Sequence, residues 1–442
     1  MRAELNWRER SALAIYSALA WLMQPWLLRR LARRARTEPA YAISVGERFG
    51  RYSDAPSAGW LWLHAVSLGE TRAAALLLAQ LRQQQPGLRL LLTHGTATGW
   101  TAGRELLEQG DRQAWLPWDS RGAVDRFLAH FRPRAGLLLE TEIWPNLVQS
   151  CLRYGVPLVL VNARLNPKSF GSARRLRWLA QPAYRGLRCV FAQSEADAVN
   201  LRALGARVGG VFGNIKFDAE PDVQQLARGR AWRSAMPKPV LMLASSRDGE
   251  EAALLAAVVA LAQAPGTPGW PASLPFQLLL VPRHPQRVDA VAALFEQAGF
   301  TVSRRSQWTS QTQPADLWLG DTMGELALYY AMSQIALLGG SFEALGGQNL
   351  IEAAACACPV LMGPHTFNFS EAAQLALDAG AARRADDMAA ALCQALRWMA
   401  QTEALAQARL ACVQFAGAHR GASQRTAAAV LSTLAQHRAG AI

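Results

Sequence analysis

Two series of short, almost uninterrupted apolar runs limit what this chain can fold into. The first reads WLWLHAV (60–66), LRLLLTH (88–94), RAGLLLE (134–140), VPLVLVN (156–162) and CVFAQS (189–194), and then VGGVFGN, ending near Asn214. The second reads VLMLASS (240–246), FQLLLVPRH (276–284), DLWLGD (316–321), IALLGG (335–340) and PVLMGP (359–364). Helical stretches separate the runs. A strand that is apolar on both faces must be covered on both, and the intervening helices provide that cover. The pattern therefore predicts α/β architecture with parallel sheets, as two doubly wound domains of similar size facing a cleft. A polar, proline-bounded segment at 218–239 reads as the link, which gives domains at 37–217 and 240–442. The insert APGTPGWPASLP (264–275) reads as a loop.

Ahead of the first domain, 18 residues without a charge, SALAIYSALAWLMQPWLL, lie between Arg10 and Arg29, and RRLARRAR follows at 29–36. The run has about the minimum length for a bilayer core, with Trp21 and Trp26 suited to its interface. A cleaved signal peptide would carry its charges first, so residues 1–36 are expected to be a membrane anchor with a basic flank. The cations after the run predict that the rest of the chain stays cytoplasmic. The formal net charge of +13 points to anionic partners. Apart from 29–36 and the neighbourhood of 174–177, however, the cations are spread out, which argues against a nucleic-acid groove. Six scattered cysteines form neither a disulfide framework nor a zinc pattern, and Cys356 and Cys358 fall in a small-residue helix pattern that reads as core. HExxH, Walker A and GxGxxG motifs are absent.

In doubly wound sheets ligands bind beyond the carboxyl ends of the strands. The first domain there offers Ser67–Glu70, His94–Thr98, Glu140–Glu142 and Asn162–Arg164. Glu70 follows Gly69 where a helix should begin, so it is either a cap or an ionised base, and the helix dipole favours the anion. Glu140 and Glu142 end an apolar strand, a costly place for two acids unless they meet a cation or do chemistry; Glu142 is the one expected to act. Lys216, one of three lysines, sits in GNIKFD at the end of the first series and can neutralise charge. In the second domain, prolines flank Arg283 and His284 and pre-place a guanidinium for a phosphate. Met323, Gly324 and Glu325 open a helix with Asp321 or Thr322 as its expected cap. Paired glycines at 339–340 and 346–347 allow a ligand close to the backbone. Asn349 and Glu352 have capping-box spacing, which also suits a ribose hydroxyl pair.

The glycine-rich loop followed by NLIEAAACACPVLMGP resembles the nucleotide-sugar half of GT-B glycosyltransferases. The ordered set GERFGRY, WLHAVSLGETRAA, THGTATG, ETEIWPNL, NARL, GNIKFD, PRHPQR, GDTMGEL and GGSFEALGGQNLIE resembles a narrower family, the 3-deoxy-D-manno-octulosonic acid (Kdo) transferases of lipopolysaccharide synthesis. The resemblance runs from about residue 25 to about 380. It implies a GT-B fold and inverting transfer of Kdo from CMP-Kdo to the lipid A precursor, with no metal or other cofactor. It also implies attachment to inner-membrane lipids with the catalytic domains cytoplasmic. By this resemblance Glu70 is the base, and Glu142 and Lys216 support the transition state. Pro282, Arg283, Met323, Gly324, Glu325, Asn349, Leu350, Ile351 and Glu352 would bind CMP. Two other readings compete: a GT-B transferase using a UDP-sugar and a lipid-linked acceptor, and a non-catalytic membrane protein binding nucleic acid.

Overall fold

The computed structural model of the chain describes residues 5–262, 274–309 and 311–439. Most of the expected loop at 264–275 lies outside them. The chain divides into two compact units, residues 1–218 with 420–442, and residues 219–419.

The first unit holds a seven-stranded sheet with every pairing parallel: β1 (Leu61–His64), β2 (Leu90–His94), β3 (Arg112–Trp115), β4 (Ala135–Leu139), β5 (Leu158–Ala163), β6 (Cys189–Ala192) and β7 (Val208–Val211). Their order is β3-β2-β1-β4-β5-β6-β7, so the direction of winding reverses between β1 and β4. Alternation along β1 divides the core. Trp62 packs with Val124, Phe127 and Leu128 on one face, while Leu61 and Leu63 pack with Leu77 and Leu78 on the other.

The second unit repeats the plan with β8 (Val240–Ser246), β9 (Gln277–Pro282), β10 (Val302–Arg304), β11 (Leu317–Leu319), β12 (Ile335–Leu338), β13 (Val360–Met362) and β14 (Ala382–Arg384). The order is β10-β11-β9-β8-β12-β13-β14, and the winding reverses between β8 and β12.

Two boundaries differ from the sequence expectation. The segment read as a linker contains the helix Val223–Ala235, which packs on the helix Leu326–Met332 of the second unit. A Cβ at Gly229 would stand 2.5 Å from the Leu328 carbonyl, so glycine allows the close crossing. The helix Ala422–Ala439, expected with the second domain, instead returns to the first. There it packs on the helix Leu68–Gln84, and Ala422, Ala427 and Val430 join the core that contains Leu61 and Leu63. The Asp218 carboxylate receives the N–H groups of Gly421 (2.6 Å), Ala422 (3.3 Å) and Ser423 (2.5 Å), capping this helix from the point where the chain leaves the unit.

At the amino terminus, the helices Trp7–Leu22 and Gln24–Ala35 meet at a 48° bend, with Pro25 in the first turn of the second. No single helix among the described residues is long and apolar enough to cross a membrane, though this bent pair passes the same test of length and composition. Cys356 and Cys358 are buried in the second unit, as their small-residue surroundings predict.

Candidate active site

In the first unit the carboxyl ends of β1 and β4, on either side of the reversal, bring acids together. Ser67 caps the helix Leu68–Gln84, and Glu70 sits in its first turn. One Glu70 oxygen accepts the Val66 N–H at 2.8 Å and the other accepts the Ser67 hydroxyl at 3.1 Å. The capping role is therefore real, but it does not set the ionisation. Burial first and the Glu140 charge next, with a smaller push from Glu142, raise Glu70 from 4.5 to about 7, against the hydrogen bonds from Val66 and Ser67. The expectation that its place at the helix start would favour the anion is thus overridden by burial and like charge.

The turn around Glu70 is held from the next strand. Thr96 donates to the Val66 carbonyl at 2.8 Å, and a Cβ on Gly99 would meet that same oxygen at 2.7 Å. Only glycine lets the two strand-end turns approach this closely. His64 and His94, buried behind them, are pushed down to about 3 and about 4, chiefly by burial, and are neutral side chains of the scaffold.

Glu140, beside the Glu142 that the sequence singled out to act, is the organising acid of this turn. It is 5% exposed and adopts a left-handed φ of 57° at the end of β4. Lys216 reaches one of its oxygens at 2.6 Å, and the Arg164 Nε lies 3.3 Å from the other. Asn162, also left-handed at φ 51°, accepts the Ile215 N–H at 3.0 Å, and Asn214 accepts the Lys216 N–H at 3.0 Å. Together these tie the lysine turn to β5. Glu142 lies two residues on, in a turn rather than an extended segment, and accepts the Trp144 indole N–H at 3.0 Å. Burial raises it as well. Glu70, Glu140, Glu142 and Lys216 therefore form one cluster. A cavity of about 570 Å³ in this unit lies elsewhere, at the amino ends of β5, β6 and β7, where Arg188 and Arg207 line it.

In the second unit the expected donor residues follow the carboxyl ends of β9, β11 and β12, with β8 lying between β9 and β12. Pro282 ends β9, and the Arg283 N–H donates to the Ser246 carbonyl at 3.0 Å, joining it to the end of β8. Beyond β12 the chain forms the glycine loop. Gly340 and Gly346 have φ of 69° and 89°, and the Gly347 N–H returns to the Gly340 carbonyl at 2.7 Å. Asn349 then caps the helix Leu350–Ala355, accepting the Ile351 N–H at 3.1 Å. Leu350 and Ile351 are each 1% exposed, so they hold the helix in place from within the core. Glu352 lies in the first turn; burial first, and the Glu352 charge next, hold the Tyr330 hydroxyl well above its ordinary range.

Beyond β11, Met323 is exposed, Gly324 has φ of 80° and Glu325 precedes the helix Leu326–Met332. Glu325 accepts Arg305 at 2.8 Å and the Thr322 hydroxyl. Asp321 does not cap this helix: it accepts the Ser306 N–H and hydroxyl at 2.8 and 2.6 Å. One organiser escaped the sequence reading. Glu250, fully buried, receives the N–H groups of Arg247, Gly340 and Phe342 at 2.9, 2.8 and 3.1 Å, and so bolts the glycine loop to β8. Its signal was present in SSRDGEE, where an acid opens a helix directly after a buried strand.

Two doubly wound, parallel-sheet domains in one chain are an arrangement shared with solved structures. The crystal structure of Anabaena Alr3699/HepE in complex with UDP is similar over 85% of this chain and all of that one, with TM-score 0.56 and 16% identity, which speaks to the fold alone. The family profile described as 3-Deoxy-D-manno-octulosonic-acid transferase (kdotransferase) matches residues 44–219. The 3-deoxy-D-manno-octulosonic acid transferase of Bordetella pertussis is 44% identical over 94% of this chain and 96% of its own length. That of Haemophilus influenzae is 32% identical over 80% and 83%. The chain is thus a glycosyltransferase. It belongs to the 3-deoxy-D-manno-octulosonic acid transferase family, as the ordered motifs imply.

Proposed function

We propose that this enzyme transfers Kdo from CMP-Kdo to the lipid A precursor, with inversion and without a metal at the nucleotide. The observation that carries the reading is the carboxylate of Glu70, raised to about 7 at the reversal of the first sheet. A general base works best when its protonation midpoint lies near the working pH. As the bond from the sugar to the CMP phosphate breaks, the anomeric carbon gains oxocarbenium character. Glu70 then takes the proton of the attacking hydroxyl, and the phosphate leaves with the bonding electron pair. Because CMP is a good leaving group, an anion clamp can replace acid assistance.

We assign that clamp to Pro282 and Arg283, with Met323, Gly324, Glu325 and the segment Asn349, Leu350, Ile351 and Glu352 holding the nucleoside. Lys216 and Glu142 support the transition state, Lys216 by neutralising Glu140 so that this second acid can lie beside the base. Purified protein incubated with lipid A precursor and CMP-Kdo, or with UDP-sugars, tests the donor by mass spectrometry. Transfer from a UDP-sugar and none from CMP-Kdo would overturn the assignment, and so would a rate that collapses in chelator.

The amino-terminal helices supply the membrane contact in this reading, at the cytoplasmic face of the bacterial inner membrane. On the first helix Ile15, Leu19, Trp21 and Leu22 are exposed, as is Trp26 on the second, where the Arg30 guanidinium lies over its ring. Glu9, Tyr16 and Ser17 on the opposite side face the folded unit. A helix committed to protein along one side suits the interface better than a crossing. Arginines 29, 30, 33 and 34 follow the apolar face, where anionic headgroups would meet them.

A further inference from the structure

The inward side of the helix Trp7–Leu22 is bonded to the part of the fold that aims the acids. The Ser17 hydroxyl donates to Asn146 Oδ1 at 2.9 Å, and the neighbouring Tyr16 hydroxyl faces the Asp119 carboxylate. One Asp119 oxygen accepts the Asn146 N–H at 3.0 Å, and the other accepts the Leu147 N–H at 2.8 Å. The Asn146 amide donates back to the Asp119 carbonyl at 2.8 Å. These are the first-turn N–H groups of the helix Pro145–Tyr154, whose own capping residue, Trp144, offers no side-chain bond. Asp119 is therefore the cap of that helix, supplied from 27 residues away in sequence. Only residues 140–144 separate β4 from the helix, so fixing its start fixes both ends of the turn that carries Glu140 and Glu142. The last link is the Trp144 indole bonded to Glu142.

We propose that the amino-terminal helix is a positioning element of the catalytic unit: Tyr16, through Asp119, sets the turn that holds Glu140 and Glu142 beside Glu70. This rests on Glu70 being the base. A helix serving only as an anchor would matter on membranes and nowhere else. A positioning helix matters with a soluble, deacylated acceptor as well. The titratable and charged groups facing Glu70 here are Glu140 and Glu142, with Lys216 and Arg164 against Glu140; those facing Asp119 are the neutral Tyr16 and the buried, neutral Cys151. When the turn loosens, the two acids move off Glu70, and the acid limb of the pH–rate profile shifts to lower pH.

The test measures Kdo transfer to deacylated acceptor in detergent by the full-length wild type, Tyr16→Phe, Asp119→Ala and Glu70→Gln. We expect Tyr16→Phe to lower kcat about tenfold at unchanged KM for CMP-Kdo, with the acid limb about half a pH unit lower and vesicle binding intact. Tyr16→Phe removes one hydroxyl, so it stays informative if Asp119→Ala fails to fold. A Tyr16→Phe enzyme with wild-type kcat and pH profile, while Glu70→Gln is dead, overturns the positioning proposal alone. Turnover retained by Glu70→Gln overturns the base assignment on which it rests.

Discussion

Replacing Glu70 by Gln should make the protein more stable and inactive, and the two effects have one cause. Gln keeps an oxygen for the Val66 N–H and an amide for the Ser67 hydroxyl, so the cap survives while the charge goes. The folded state holds Glu70 near 7 against an ordinary 4.5. At 1.36 kcal/mol per pH unit, the ionised form is disfavoured by about 3 kcal/mol. The sign follows from the direction. A folded value above the unfolded one means that the unfolded chain releases its proton first. The stability contributed by protonated Glu70 is complete below about 4.5 and is lost as pH rises to about 7. Wild type and Glu70→Gln should therefore melt together near pH 4.5. At pH 8.5 the variant should gain up to ~3 kcal/mol in the transition of the first unit, read by scanning calorimetry across pH. Kdo transfer should fall by ~10²–10⁴, the usual worth of a general base. A stability difference that does not change with pH would refute the raised ionisation. Near wild-type turnover would refute the role.

Arg283→Ala should weaken CMP-Kdo binding at least tenfold in calorimetric titration while the first unit's melting stays unchanged; equal donor affinity would remove Arg283 from the phosphate site. Among the described residues Lys216→Met leaves Glu140 with Arg164 as its cation, and losing one partner of a buried pair costs ~3–5 kcal/mol, here at the lower end because the 3.3 Å guanidinium remains; urea denaturation measures it. Asp218→Ala strips three N–H groups at the start of the final helix of their acceptor, for a loss of ~1–3 kcal/mol and faster hydrogen exchange in residues 422–439. Exchange unchanged there would mean that packing alone holds that helix. Substituting serine at Leu19, Trp21 and Leu22 should abolish co-sedimentation with anionic vesicles and spare transfer to deacylated acceptor.

The central strands were legible because burial on both faces writes itself as an unbroken apolar run, and such runs locate β1, β2, β4–β6, β8, β9 and β11–β13; the partly exposed edge β7 showed only as the weaker VGGVFGN. Three strands escaped: RQAW (β3), VSR (β10) and ARR (β14). All three are sheet edges, where one side meets solvent and a short polar segment can pair with its neighbour without an apolar signature. The ordered motifs likewise placed Glu70, Arg283 and the glycine loop at strand ends, because turn chemistry is local.

What the residues alone determined, then, was the pair of doubly wound sheets, the family and the positions at which chemistry is possible. Tertiary structure decided the rest. Lys216 and Arg164 went to Glu140, the final helix crossed back to the first unit, and Asp119 became the cap of a helix 27 residues away. Local sequence encodes which groups a strand end presents. Which charge a carboxylate meets, and hence whether it is ionised at neutral pH, depends on burial and on neighbours brought together only by the folded sheet.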